Sequence, residues 1–270
     1  MNIVQINGGA VGSTGKIMFG ISAVCTDEKQ ETLCAAPEVS SGNKTGRNLY
    51  IIQNNNHRKI NVLLDRITGR HNMHSKIATE RLLKVISGFK PDIIQLHNLH
   101  EAYINLPMLF KYIKKHNIKT VWTLHDCWAF TGHCPYFDIV GCNKWKTGCY
   151  GCPQYKEYPK SLFDNSKYMY RLKRKWFTGV ENMTIVTPSE WLAGLVKESY
   201  LKDYPVKVIN NGIDLNVFKP TESDFRKKYA LENKYIVLGV AFGWGRRKGL
   251  DVFVELAERL DKVKYKIVLV

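Results

Sequence analysis

Short runs of β-branched and apolar residues alternate with longer amphipathic runs along almost the whole chain. Several of the longer runs have apolar side chains at helical spacing. One of them, Ser75–Phe89, is predicted to be a helix that stops at Lys90-Pro91. Buried strands are predicted at residues 2–7, 32–37, 92–97, 119–124, 182–187 and 206–209. Strands that alternate with helices are joined by crossovers, so this order predicts a doubly wound, parallel α/β sheet.

The alternation continues into a second unit. We expect an N-terminal Rossmann-like domain at residues 1–205, a linker at 206–220 and the start of a second Rossmann-like domain at 221–270. A stretch rich in cysteine, at 126–160, reads as an insertion in the first domain. A single crossover of about 30 residues cannot cover its own sheet. We therefore expect the sequence to break off inside the second domain.

The charge balance points to an anionic partner. Forty Lys and Arg residues against 24 Asp and Glu give a net charge of +16, which attracts nucleic acid, nucleotide phosphates, lipid diphosphates or an acidic membrane face. No apolar run approaches the ~20 residues that a membrane-spanning helix needs, and the N-terminus does not read as a signal peptide. We expect a cytoplasmic protein, with peripheral association at the inner face of the plasma membrane left open.

A glycine-rich turn, Gly8–Lys16, follows the first predicted strand. Glycines let the backbone approach an anion, and the start of the next helix offers N–H groups to it, so Gly9 and Gly12 are candidate binding residues. The spacing departs from the dinucleotide fingerprint and from a phosphate-binding P-loop. A tight turn without a ligand is the alternative.

A second turn of this kind, Phe242–Gly249, lies in the second unit. It adds three cations to the glycines and the helix start, namely Arg246, Arg247 and Lys248. This combination favours a diphosphate ligand, and an exposed charged turn is the alternative.

Histidines follow two neighbouring predicted strands. His125 and Asp126 come just after the strand at 119–124, and His97 and His100 follow the strand at 92–97. Open α/β sheets bind ligands at the carboxyl ends of their strands, so these imidazoles are expected to gather at one edge. A neutral imidazole can bind a hydroxyl group and a charged one can stabilise a phosphate, although each histidine could be purely structural.

Four cysteines share the long loop after this strand: Cys134, Cys142, Cys149 and Cys152. Four thiolates can close a tetrahedral zinc site, and Cys149-x2-Cys152 is a usual half-site. A structural zinc ion would stabilise a loop that is otherwise long and irregular. Free thiols or a disulfide are the alternatives.

Basic and aromatic residues are interleaved from Asn143 to Thr178, a stretch that contains nine Lys and Arg residues but only two acidic residues. Such a surface could stack single-stranded nucleic acid or meet anionic lipid headgroups. It could also be a solvated helix face with one buried aromatic stripe.

Several motifs together resemble the family 4 retaining glycosyltransferases. Val208–Pro220, with Asn211-Gly212-Ile213-Asp214 at its centre, is similar to the segment between their two domains, and Thr187–Leu192 to the turn before it. The segments Gly12–Ile17, His125–Cys134 and Gly141–Pro153 resemble the branch that builds capsular, colanic-acid-like and other surface polysaccharides.

The resemblance implies a GT-B fold, with a UDP- or GDP-linked sugar between two Rossmann-like domains. It implies transfer to a glycan or lipid-diphosphate-linked acceptor, with retention and without a required cofactor or nucleic acid. Gly9 and its turn match the family's glycine loop, His125 matches the catalytic-site histidine that contacts the donor sugar, and Lys248 matches a diphosphate-binding lysine. Phe242 stands where the family usually has arginine, so Arg246 or Arg247 is expected to substitute.

The family binds the donor sugar and ribose with two glutamates that lie beyond Val270. We therefore expect this chain alone to be inactive, or nearly so, as a transferase. Two alternative functions stay open at this point. One is a zinc-stabilised, basic nucleic-acid-binding protein, and the other is a non-catalytic, acceptor-binding fragment of a glycosyltransferase.

Overall fold

The computed structural model describes residues 1–38 and 48–270 of the chain, which form two compact units, 1–211 and 212–270. Each unit combines parallel strands with helices, so the predicted α/β class is confirmed.

The first unit contains seven strands and six helices within its described residues. The strands are β1 (Asn2–Ile6), β2 (Glu31–Ala36), β3 (Leu49–Ile51), β4 (Ile93–Leu96), β5 (Lys119–Thr123), β6 (Met183–Thr187) and β7 (Val206–Val208). The helices are α1 (Gly12–Asp27), α2 (Asn55–Thr68), α3 (Lys76–Phe89), α4 (Leu106–His116), α5 (Ser166–Phe177) and α6 (Glu190–Glu198).

The seven strands form one parallel sheet in the order β3-β2-β1-β4-β5-β6-β7. Its central strands are buried on both faces, as expected when helices cover a parallel sheet. Val4, Ile6, Ile94 and Ile185 are completely buried, and so is Trp122 apart from 1% of its surface. The sheet therefore holds its carboxyl-terminal loops on a rigid core.

Local signals explain where several helices begin and end. Asn105 caps α4 by accepting a hydrogen bond from the Met108 N–H at 3.1 Å, and Ser189 caps α6 through the Leu192 N–H. α4 ends at Asn117, which adopts the left-handed conformation that stops a helix. These residues set where the two helices begin and where α4 ends.

The second unit contains α7 (Phe225–Lys228), β8 (Tyr235–Gly239), α8 (Leu250–Arg259) and β9 (Tyr265–Leu269). β8 and β9 pair in parallel as a two-stranded sheet. Many of its large apolar side chains are exposed, including Tyr235, Leu238 and Val252. Within the described residues, α7 and α8 leave these side chains open to solvent.

Three elements, β3, α2 and α5, were not predicted as separate elements. The strand predicted at 206–209 is present as β7, but it pairs with β6 in the first unit, whereas the predicted domain boundaries placed it in the linker. The division between the units falls after Asn211.

Candidate active site

Three loops leave the first sheet side by side, at the carboxyl ends of β1, β4 and β5. Ile6 pairs with Leu96, and Leu96 pairs with Trp122, so the segments after these residues start level with one another. On one side of β1 the sheet continues with β2 and β3, and on the other side it continues with β4, β5, β6 and β7. The edge between β1 and β4 is therefore the topological switch point, where open α/β sheets bind ligands.

Two histidines meet at this edge. Nδ1 of His97 lies 3.2 Å from Nε2 of His125, and the two rings are parallel to within 13°. Nε2 of His97 lies 3.3 Å from the side-chain oxygen of Gln5, whose amide nitrogen donates to the Met18 carbonyl. Since that oxygen can only accept, His97 donates from Nε2 and receives the Nε2–H of His125 at Nδ1. Nδ1 of a neutral His125 is then an acceptor.

Burial keeps both imidazoles neutral near pH 7. It lowers the pKa of His97 to about 3, with a further contribution from the neighbouring His125. Burial also lowers the pKa of His125, and Asp126 opposes that shift only in part. A neutral His125 can hydrogen-bond a sugar hydroxyl without carrying charge.

A second polar chain lies beside the first. Nε2 of His100 is 3.0 Å from Oδ2 of Asp126, and its Nδ1 is 2.9 Å from the hydroxyl of Tyr158. Oδ1 of Asp126 accepts the backbone N–H of Trp128 at 2.9 Å. The prediction that several imidazoles gather at one edge of the sheet therefore agrees with the geometry.

Asp126 is held as a carboxylate. Burial alone would raise its pKa, but His100, the Trp128 N–H and the Lys173 ammonium together bring the pKa below its ordinary value. Lys173 is fully buried, lies 3.5 Å from the centre of the Trp128 ring and donates to the Trp128 carbonyl. Burial lowers the pKa of Lys173 to about 7, so this side chain supports the carboxylate only when it is protonated.

The first glycine turn is held by one side chain. Nδ2 of Asn7 donates to the Gly9 carbonyl at 2.8 Å and to Oγ1 of Thr14 at 3.1 Å, while its Oδ1 accepts the Gly8 N–H at 2.9 Å. A Cβ added at Gly8 would lie 3.3 Å from the Asn98 carbonyl, so the turn passes close to the loop after β4. Asn7 thus fixes the turn beside the histidines.

The candidate residues Gly9 and Gly12 border open space. A Cβ at Gly9 would meet only the Val11 carbonyl, at 3.7 Å, and one at Gly12 would meet nothing within 4 Å. Gly12 has φ +78°, and Val11, which precedes α1, makes no side-chain cap. The N–H groups at the start of α1 are therefore not satisfied by a side chain of the cap residue.

The three candidate cations of the second unit lie on one short turn. Arg246–Lys248 form a single 3₁₀ turn directly before α8, and all three side chains are exposed. Nε of Arg246 lies 3.9 Å from the carboxylate of Asp251, and Gly249 ends the turn at φ +74°. The predicted combination of cations with a helix start is thus present within this unit.

The four predicted zinc ligands line a single small cavity together with Trp145 and Phe137. Sγ of Cys149 accepts the backbone N–H of Gly132 at 3.1 Å. Within residues 1–38 and 48–270, however, no three His, Cys, Asp or Glu side chains are placed so that they could hold a metal ion. Zinc binding therefore stays a prediction.

The basic and aromatic stretch does not form a continuous stacking surface. Trp145 and Tyr170 are buried in the core, where the Tyr170 hydroxyl donates to the Trp145 carbonyl at 3.0 Å. Five of the nine basic residues belong to α5, whose buried residues include Met169 and Phe177. The stretch is therefore divided: Trp145 and Tyr170 belong to the core, whereas Tyr150, Tyr158 and Tyr168 are exposed.

Sequence reasoning missed four members of the site: Gln5 and Asn7 of the first strand and its end, and the distant residues Tyr158 and Lys173. Tyr158 reaches His100 from 58 positions away, and Lys173 reaches Trp128 from 45 positions away. A local pattern carries no signal for such contacts, because they depend on how the insertion folds back over the sheet.

Solved structures share this fold. Sucrose-phosphate synthase from Thermosynechococcus elongatus matches 99% of this chain and 61% of its own, with 11% identity and a TM-score of 0.60. HepE of Anabaena, solved with UDP and glucose, matches with 11% identity and a TM-score of 0.56. The match covers all of this chain and 60% of the HepE chain. A trehalose-6-phosphate protein of E. coli, bound with UDP-2-fluoro glucose, has a TM-score of 0.53 at 13% identity over 64% of its chain. At such identities the likeness shows the fold alone, which is the expected GT-B type.

Two curated proteins match in sequence. The glycosyl transferase WcaC of Escherichia coli K12, named for colanic acid biosynthesis, is 33% identical over 132 residues, which are 46% of this chain and 32% of WcaC. The processive diacylglycerol alpha-glucosyltransferase of Acholeplasma laidlawii is 32% identical over 85 residues, which are 30% of this chain and 25% of that protein. The matched segments thus span a third or less of these relatives.

The sequence model of glycosyltransferase family 4 matches residues 42–217, well over half of the chain. The chain therefore belongs to glycosyltransferase family 4, as the motifs around His125 and Asn211 predicted.

Proposed function

We propose that this protein transfers a sugar from a nucleotide-sugar to a hydroxyl group of an acceptor, with retention at the anomeric carbon. The observation that carries the proposal is the neutral His97–His125 pair, which lies beside the Asn7–Gly9 turn at the switch point of a family 4 chain. An imidazole acceptor at the same sheet edge as helix-start N–H groups that no cap side chain satisfies suits a ligand that combines sugar hydroxyls with phosphates.

The proposed reaction uses positioning and charge rather than a protein nucleophile. The bond from the anomeric carbon to the diphosphate oxygen breaks, and its electron pair leaves with the nucleotide. The acceptor oxygen forms the new bond on the same face of the sugar, and its proton passes to the departing diphosphate. His125 would orient the sugar, while Lys248 with Arg246 or Arg247 would neutralise the phosphates.

The donor and acceptor classes follow from the relatives. Two structures of this fold contain UDP-linked ligands or UDP with glucose, so a UDP-sugar is the first donor to test, with GDP-sugars beside it. WcaC and the diacylglycerol glucosyltransferase suggest a surface glycan or a lipid-linked acceptor. We place the protein in the cytoplasm, where cysteines stay reduced and can bind metal; the seven cysteines, all of them in the described part of the chain, form no disulfide. The described residues include no helix that is long and apolar enough to cross a membrane.

Lys248→Ala should weaken donor binding about tenfold or more, since a charge-assisted bond to a phosphate is lost. The measurement is isothermal calorimetry with UDP- and GDP-sugars on the protein from its complete coding sequence. Lys262→Ala is the matched control, because Lys262 is also an exposed lysine of the second unit. Unchanged affinity would remove Lys248 from the site. A folded protein that binds no donor would favour an acceptor-binding fragment instead.

We also propose that the four cysteines bind a structural zinc ion. Their spacing and their shared cavity support this, although the thiols would have to move closer together to ligate it. Protein purified without chelators should contain about one zinc per chain by mass spectrometry of the metal. Cys142→Ser should lose the metal, and Cys25→Ser, in α1, should keep it. A zinc-free wild-type protein would overturn this assignment.

A further inference from the structure

One helix of the first unit turns its apolar side to solvent. Ile60, Leu63, Leu64 and Ile67 of α2 follow helical spacing and lie on one face, yet they are 55%, 55%, 38% and 46% exposed. The opposite side of α2 carries the buried residue Asp65. The helix is therefore oriented with its apolar stripe away from the protein core.

A loop after the insertion extends this stripe. Leu162 and Phe163 are each 63% exposed. The Leu162 N–H donates to the Arg66 carbonyl at 2.9 Å, and the Asn165 side chain donates to the Thr68 carbonyl at 3.1 Å. The loop is thus anchored to the last turn of α2. We call Ile60, Leu63, Leu64, Ile67, Leu162 and Phe163 the α2 face.

Cations surround the α2 face. Exposed basic residues on α2 and on the segments bonded to it are Lys59, Arg66, Arg70, Lys160 and Lys167. Three acids lie nearby, and each has a partner: Glu38 accepts the Asn55 N–H of α2 at 2.9 Å, Glu101 pairs with Arg58 at 3.4 Å, and Asp164 accepts the backbone N–H groups of Cys152 and Ser166. The surroundings of the apolar stripe are therefore strongly positive.

We propose that the α2 face docks the protein on the surface of an anionic lipid bilayer. An interfacial helix has a marked polar side, a modest overall hydrophobicity and basic residues beside its apolar stripe, and α2 with its loop has all three. Anionic headgroups would neutralise the five cations while the six apolar side chains enter the boundary of the acyl chains. A second copy is a poorer occupant, because a twofold contact would set these cations against themselves.

A cavity of about 280 Å³ lies on the Asp65 side of α2, away from the α2 face, and the carboxylates of Asp65 and Glu101 are part of its lining. Arg58, Arg66 and Lys160 line it, together with Tyr158, whose hydroxyl bonds His100. Buried His71 also lines it, and its Nε2 has no hydrogen-bond partner among the described residues. None of the six α2-face residues lines this cavity, so the proposed docking surface does not include it. Docking itself does not depend on sugar transfer.

The test is flotation of the purified protein with vesicles of phosphatidylcholine, with and without phosphatidylglycerol. Wild type should float with the anionic vesicles. Leu63→Glu with Ile67→Glu should lower the bound fraction at least about tenfold, because two apolar side chains no longer enter the interface. Val24→Glu, at a 62% exposed apolar position of α1, should bind as wild type does.

The electrostatic part is tested separately. Lys59→Gln with Lys167→Gln should weaken binding to anionic vesicles by about fivefold per charge, and the matched pair Lys84→Gln with Lys111→Gln should not. Absence of binding by folded wild type, or equal binding by the Leu63→Glu, Ile67→Glu variant, would overturn the proposal. So would a dimer in light scattering that this variant dissociates, since the α2 face would then bind a second copy.

Discussion

His125→Ala should lower the rate of sugar transfer about a hundredfold while leaving the protein folded. The substitution removes the acceptor at Nδ1 that we propose orients the donor sugar, and it leaves Nδ1 of buried His97 without its donor. Because the group is positioned for the reacting sugar, most of the loss should fall on kcat rather than on donor affinity.

His116→Ala is the matched control, since His116 is an exposed histidine at the end of α4 and contacts only Tyr112 among the aromatic rings described. Its transfer rate should equal that of wild type. A fall in the melting temperature of His125→Ala that accounts for the lost rate would instead assign His125 a structural role.

Phe177→Ala should lower the free energy of unfolding of the first unit by about 3–5 kcal/mol. Phe177 is completely buried at the end of α5, and its ring centre lies 4.7 Å from that of Phe110 and 4.8 Å from that of Trp122. Its removal leaves a cavity between α4, α5 and β5, just beneath Trp128 and the candidate site.

Urea denaturation followed by tryptophan fluorescence measures this loss. Tyr168→Ala on the same helix is the control, because Tyr168 is 40% exposed and stacks only on Arg70 among the described cation–ring contacts. It should cost about 0.5 kcal/mol or less. A loss below about 1 kcal/mol for Phe177→Ala would contradict the packing described here.

Much of the fold could be predicted from the sequence because the central strands are continuous apolar runs. The strands at 93–96 and 119–123 are short and largely buried, and the helix between them has clear capping residues. The apolar pattern and the helix-capping signals therefore predict the same element boundaries. α2 was missed although Asn54 caps it and Gly69 ends it in the left-handed conformation. Its apolar stripe faces solvent, and a pattern alone does not reveal which side of a helix the core occupies.

The candidate site could be predicted only in part. The position of His125 after a central strand was enough to place it near His97, because parallel strands end at the same edge. The roles of Tyr158 and Lys173 depend on the path of residues 126–165, which contain only short 3₁₀ turns and follow no periodic pattern. For the same reason, the cysteine spacing predicts a shared location but not the distances between the thiols.

The most direct measurement is incorporation of a labelled sugar from UDP- and GDP-sugars into membrane lipid or glycan acceptors by the protein from its complete coding sequence. Wild type and His116→Ala should form labelled product at equal rates with at least one donor, and His125→Ala should form it about a hundredfold more slowly. No product with any donor, or equal rates for wild type and His125→Ala, would contradict the assignment of this edge of the sheet as the transfer site.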